Sequence, residues 1–287
     1  MEIIDNTQLP IELKDNTLIG NPKLTNSKII FKGKGNILYC DKDVHLVNST
    51  LSFNGDNSIV FLSQNRHNYV LNVAINNDSV LYFGKNNYIN GRLNLIISEQ
   101  KNIIVGNECL FSFDCWLRTA DVHLIYDSNT KGRINPSKSI YLGDHIWIGQ
   151  HTFILKGTQI GSGSILGGLS VASGKKIESN SSYAGNPVRK IRDSIFFSNE
   201  SVHTYRETET KEHLFYEDDR YVYSYIEKEM LPFSVIEKSI ENLNSSKERL
   251  DYLIKNLQNN NNKNRFFIGN SSEKHGFLKK VKHYLKL

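Results

Sequence analysis

The stretch IYLGDHIWIGQHTFILKGTQIGSGSILGG, residues 140–168, sets an aliphatic side chain at every sixth position: Leu142, Ile148, Ile154, Ile160 and Leu166. All but one of these are followed by glycine. Six is the period of neither an amphipathic helix nor a single alternating strand. A second column stands at the fifth place of each hexad, Ile146, Thr152, Thr158, Ser164 and Ser170, and four of its five members are small hydroxyl residues. A triangular coil with three short parallel strands per turn accounts for both columns. It points one aliphatic residue inward from each face and sets a small residue beside the corner. The glycines are then expected to relieve the bends, where a positive φ is cheap only without a side chain.

The register continues upstream. Val105 and Gly106 open a hexad, Phe111 and Leu117 follow at steps of six, and Cys109 and Cys115 fall in the small column, where they read as core filler. Phe83-Gly84, Ile89 and Leu95 extend it more weakly, and FKGKGN (31–36), FNGDN (53–57) and FGKNN (83–87) read as degenerate corners, with Asn accepting the left-handed conformation. The hexads stop by Phe197. Beyond it, SVIEKSIENL from Ser234 reads as a helix, and Ser245 with Glu248 reads as a capping box ahead of Leu250, Leu253, Ile254 and Leu257. Asn259 to Asn262 reads as a linker, and HGFLKKVKHYLKL at the end reads as a short basic amphipathic helix. The expected fold is therefore mainly β, a parallel triangular coil over residues 1–195 that is irregular over 1–102 and regular over 103–192. A mostly helical extension follows over 196–287.

A chain of 287 residues with 39% apolar and 23% charged residues can bury a real core. A formal charge of +5 suits an anionic ligand but is too weak and scattered to indicate nucleic acid. Three cysteines make an odd, sparse set unlike a disulfide framework, and the acidic start MEIIDNTQLPIELKDN lacks the basic and apolar segments of a signal peptide. No apolar run approaches the ~18 residues of a membrane span. The expected location is the cytoplasm, with free thiols.

Residues 103–192 resemble the hexapeptide-repeat acyltransferases, left-handed β-helix enzymes that work as homotrimers. LGDHIWIGQHTFILKGTQIGSGSILGG carries the likeness, and YAGNPVRKIR at 183–192 is similar to the segment that ends the coil in acetyl-CoA-dependent members. TADVH at 119–123 and the tryptophan of DHIWIG resemble the bacterial capsular-polysaccharide and sialic-acid O-acetyltransferases. The resemblance implies that the coil is a left-handed parallel β-helix, and that it transfers an acetyl group from acetyl-CoA to a sugar hydroxyl of a surface polysaccharide, with no metal.

An alcohol is a poor nucleophile until a base takes its proton, a task that suits a histidine. His123 lies where the hexads break for some twenty residues between Leu117 and Leu142, so a loop leaving the coil can lay it on the outer wall. The resemblance implies that it is the catalytic base. Asp121 can orient the imidazole, although a backbone carbonyl can do so instead. Trp147 closes its hexad and points outward, either lining the acetyl and acceptor site or packing at a trimer interface. Strand edges around Gly149, Gly167, Gly168 and Ser173 offer backbone groups to the pantetheine arm of coenzyme A. Lys156, Lys175, Lys176, Arg189 and Lys190 are candidates for its phosphates, with Pro187 in the segment where the family holds the nucleotide. His145 is read as a corner residue touching donor or acceptor.

Rival readings are fewer. His145 and His151, six apart, invite a metal site of the carbonic-anhydrase class that shares the fold. However, a metal site needs a closed set of three ligands with support behind them, and residues six apart sit on adjacent prism faces and diverge. A non-catalytic scaffold explains the repeats but not the coincidence of the loop histidine, the tryptophan and the basic end segment. No nucleophile-elbow pattern supports a Ser/His/Asp hydrolase. For the basic C-terminal stripe, packing within the trimer is preferred over contact with a membrane surface or an acidic glycan.

Overall fold

A computed structural model describes residues 1–5 and 13–269. The chain winds into a parallel β-solenoid of triangular section. Its first face is an eight-stranded sheet that is parallel except for the opening strand Glu2–Ile4, which pairs antiparallel with Lys28–Phe31. The second face is a parallel sheet of eight strands and the third a sheet of six. The third closes on Arg189–Arg192, antiparallel to Ser182–Ala184.

The columns read from the sequence are those of the core. Leu142, Ile148, Ile154, Ile160 and Leu166 are at most 1% exposed, so one inward aliphatic residue per face fills the prism. Register shows where the period holds. Ile148 lies over Leu166 and Ile154 over Ala172, eighteen residues or three hexads per turn. Upstream the turn is longer, since Leu38 pairs with Val60, Val60 with Leu81 and Leu81 with Ile103, steps of 22, 21 and 22. The wider turns enclose larger side chains, among them Phe31, Phe53, Tyr69 and Phe83, all fully buried.

The hydroxyl column has a polar purpose. Thr152 Oγ1 donates to the carbonyl of Gly149 at 2.7 Å, Thr158 Oγ1 to Ala172 at 3.0 Å, and Ser164 Oγ to Gly161 at 2.7 Å. Corner carbonyls that face the interior are thereby satisfied. Cys109 and Cys115 substitute weakly, each pointing Sγ at a glycine carbonyl 3.3 Å away, Gly143 and Gly149 respectively. The three cysteines are free and buried, and burial raises every thiol, that of Cys115 to about 11.

One expectation about the corners is corrected. The glycines after the aliphatic residues are not the left-handed positions. Positive φ occurs two residues later, at His145 (54°), His151 (56°), Gly157 (78°), Gly163 (76°) and Leu169 (57°). The earlier glycines are required by close stacking of turns. A Cβ on Gly106 would stand 2.4 Å from the carbonyl oxygen of Gly143, and one on Gly149 2.4 Å from the nitrogen of Gly168. Both obstacles are backbone, which cannot turn aside. Gly106→Ala is therefore expected to destabilise the fold by about 1–3 kcal/mol, the usual range for overpacking, in a denaturant titration.

The extension lies along the second face. The helices Phe233–Glu241 and Ser246–Leu253 bury Phe233, Ile236, Ile240, Leu250 and Leu253 against outward side chains of the coil, including Ile59, Phe61, Val80, Tyr82, Ile104 and Tyr141. The expected capping box is present: Ser245 Oγ accepts from Glu248 N at 3.2 Å, and the Glu248 carboxylate accepts from Ser245 N at 3.1 Å. From 196 to 232 the chain is largely irregular, with one helix, Glu207–Glu212, and two single 3-10 turns. No described helix is long and apolar enough to cross a membrane. The basic C-terminal segment read as an amphipathic helix lies outside the described residues.

Past the second helix, Arg265 turns back onto the coil. Its guanidinium makes a bidentate pair with the Asp144 carboxylate, at 2.9 Å from Nε and 2.7 Å from Nη2, and its Nη1 donates to the carbonyls of Leu257 and Asn260 at 2.7 Å each. The Arg265 side chain is 1% exposed and that of Asp144 10%.

Candidate active site

The prism has three edges, each with its own chemistry. Between the first and second faces the chain leaves the coil after Trp116–Arg118 and returns at Ile140–Leu142, giving a protruding hairpin over 119–139. Lys156 and Lys175 occupy the same edge on the next two turns. The edge between second and third faces carries Asp144 and His145. The edge between third and first faces carries Gly149, Gly167 and Gly168.

The hairpin is tied down by polar contacts. Arg133 pairs with Glu99 through two parallel bonds of 2.8 and 2.9 Å, and Ser137 Oγ donates to the same carboxylate at 2.5 Å. Arg133 and Ser137 hold the Glu99 carboxyl down at about 2, against an ordinary value of 4.5. Because folding lowers this pKa, the anchor contributes in full above about pH 4.5 and is lost as the pH falls toward 2. Glu99→Gln is therefore expected to remove an acid-induced loosening of the hairpin between those limits, read as amide exchange at 121–135.

Asn135, 6% exposed, is the hub of the hairpin. Its Nδ2 donates to Asp121 Oδ2 at 3.0 Å and to the main-chain carbonyl of His123 at 2.8 Å, and its Oδ1 accepts from Ile125 N at 2.8 Å. His123 is thus fixed by its backbone, with an exposed ring that makes no hydrogen bond among the described residues. Asp121 is engaged by Lys156 Nζ at 2.6 Å and by Asn135, rather than by the imidazole. Those two bonds, that of Lys156 foremost, lower its pKa and keep it ionised. Sequence reasoning missed Asn135 and Glu99, which carry no motif and act only through the closed hairpin.

The other candidates fall elsewhere. Trp147 stands outward on the third face between Leu110 and Ile165, 42% exposed, with Phe197 tilted against it at 5.9 Å. His145 is fully buried, its ring stacked between Phe197 at 4.0 Å and Tyr221 at 4.1 Å, and Nε2 lies 2.9 Å from the carbonyl of Phe197. Burial pushes its pKa down to about 4. His151 is exposed on a different edge, 3.7 Å from Asp114, and among the described residues no group of three metal-ligating side chains converges.

Of the basic candidates, Lys156 is paired with Asp121, and Lys190 with Glu178 and Asp193. Lys175, Lys176 and Arg189 are exposed without an ion pair among the described residues. Ser173 is exposed on the hairpin edge beside Lys175, and Pro187, after a cis peptide bond, is exposed beyond Gly167 and Gly168. One chain therefore brings together Asp121, His123, Lys156, Ser173, Lys175 and Lys176, and holds Trp147, Gly149, Gly167, Gly168 and Pro187 apart from them. A single prism does not assemble the whole set.

No protein-family model matches the chain, and no curated protein does. Among solved structures it is similar to the polySia specific acetyltransferase NeuO, with a TM-score of 0.58 and 28% identity over 69% of this chain and 95% of that one. The polysialic acid O-acetyltransferase OatWY shares the fold, with a TM-score of 0.52 and 22% identity over 70% of this chain and 98% of that one. Nearly the whole of each is matched, so roughly three-tenths of this chain is additional to both.

Proposed function

We propose that this chain, which resembles the hexapeptide-repeat O-acetyltransferases, moves an acetyl group from acetyl-CoA to a hydroxyl of a bacterial capsular polysaccharide, with His123 as general base. Acyl transfer is the reaction class that the likeness to NeuO carries. The observation that carries the finer reading is the hairpin: a histidine held by its own backbone, ring free, beside a lysine-bearing edge of the coil.

In the proposed mechanism the imidazole accepts the proton of the sugar hydroxyl as its oxygen attacks the thioester carbonyl. A nearby backbone N–H holds the tetrahedral oxyanion. Collapse breaks the carbon–sulfur bond, and the thiolate leaves with the proton returned by His123. No acyl-enzyme forms. The exposed Lys175, Lys176 and Arg189 offer charge to the phosphates of coenzyme A, and the glycine edge offers backbone groups to its amide-bearing arm. The three unpaired thiols fit a cytoplasmic setting.

The working form is a homotrimer. The chain's own extension covers the second face, which leaves the first and third for neighbours. Both carry outward aromatic side chains: Trp116 and Phe153 stack on the first, and Tyr88 and Trp147 are exposed on the third. In a closed ring the first face of each copy lies against the third face of the next. The glycine edge, with Phe113 48% and Leu169 72% exposed, then turns toward the axis. That arrangement sets the hairpin of one copy beside Trp147 of another and completes the divided site.

The test is to incubate purified protein with acetyl-CoA and a panel of glycans, reading released thiol. Turnover with sialic-acid polymers or other capsular glycans supports the reading. Acetyl-CoA binding without transfer to any glycan ends it.

A further inference from the structure

Residues 199–220 form an arm that buries almost nothing in its own chain. Every one is exposed except Tyr205 and Glu209, which are half-buried, and its helix Glu207–Glu212 has no buried residue. The arm leaves the body at Phe197 and returns at Tyr221, the two rings that clamp His145 at the edge between second and third faces. Although largely polar, it carries Val202, Leu214 and Phe215 at 71, 65 and 88% exposure. The hairpin on the edge between first and second faces is exposed in the same way, with Val122 at 73%, Leu124 at 55% and Ile134 at 61%. Clustered apolar side chains in water mark contact surfaces.

We infer that the arm of each subunit closes over the hairpin of its neighbour and roofs the site that holds His123, an inference that rests on the trimer proposed above. The symmetry supplies the occupant. When a first face meets a third face with the glycine edge on the axis, the outer rim of the seam is formed by the hairpin edge of one copy and the clamp edge of the next. The hairpin and the arm are rooted on those two edges.

Charge agrees. The arm holds seven carboxylates against three Lys or Arg over 199–220. The hairpin edge presents Lys131, Lys138, Lys175 and Lys176, all exposed. Apolar contacts give the roof its affinity, and the opposite charges set its register. Closing it keeps water from the thioester while acceptor is bound.

The test places p-benzoylphenylalanine at Phe215 in the full-length chain and irradiates trimers assembled from light and heavy-isotope subunits. Covalent dimers whose cross-link maps to residues 120–139 of the other isotope are the expected result. Cross-links confined to one chain, or to another part of the neighbour, in a protein that sediments as a trimer overturn the roof and leave the trimer standing. Sedimentation as a monomer overturns both. As a second measurement, replacing 201–214 by a Gly-Ser linker is expected to raise the acceptor KM at least tenfold and to speed acetyl-CoA hydrolysis without acceptor. Unchanged values for both overturn the inference even where the cross-link fails for want of reach.

Discussion

His123→Ala is expected to lower kcat for acetyl transfer by about a hundred- to ten-thousand-fold, the usual contribution of a positioned general base. The KM for acetyl-CoA should stay within a few-fold of the parent value, because the ring makes no hydrogen bond that builds the hairpin and the hydrogen bond from Asn135 goes to the backbone of residue 123. Folding should be unaffected for the same reason. Steady-state kinetics with thiol release, alongside calorimetric binding of coenzyme A, separates the two quantities. A variant that binds the cofactor normally and keeps most of its turnover removes His123 from the mechanism. One that loses cofactor binding as well assigns it to the donor site instead.

Arg265→Ala is expected to destabilise the protein by about 3–5 kcal/mol, the cost of leaving one partner of a buried ion pair alone. Asp144 would keep its bond from Asn107 N at 2.7 Å but lose both guanidinium bonds, inside a pocket where its side chain is 10% exposed. The expected signature is non-additive: Arg265→Met combined with Asp144→Asn should cost less than Arg265→Ala alone, since the double variant leaves no uncompensated charge. Urea titration of the variants measures this. Equal or additive losses would mean that packing around the guanidinium, not the charge, holds the extension.

The inward aliphatic column and the corner hydroxyls were legible because each hexad repeats its neighbours' chemistry. Leu142 and Ile154 need no distant partner to be understood. The role of the glycines was not, because Gly106 and Gly149 are required by the turn stacked beside them rather than by their own φ. The covering of the second face was also missed, although a signal was present: Ile59–Leu62 and Val80–Phe83 are unbroken apolar runs, the mark of strands buried on both sides. The hexad period speaks only for the inward half of those runs. In the candidate site, the position of His123 on a protrusion was visible as a break in the period. Its support by Asn135 and Glu99 was not, since it depends on how the hairpin folds over the edge. The Asp144–Arg265 pair, 121 residues apart, leaves no trace in local spacing.

A bare solenoid is elastic like a spring, each rung leaning on the two beside it, so that either end can peel without disturbing the middle. Here one strip of chain is lashed across many rungs. Near one end Ser246 and Arg249 hold the main chain of Gly35 and Asn57, and further along Arg265 grips Asp144. The strip acts as a splint: pulling any rung loose also pulls on the others, which makes the stack yield as a unit and gives the hairpin edge a rigid bed.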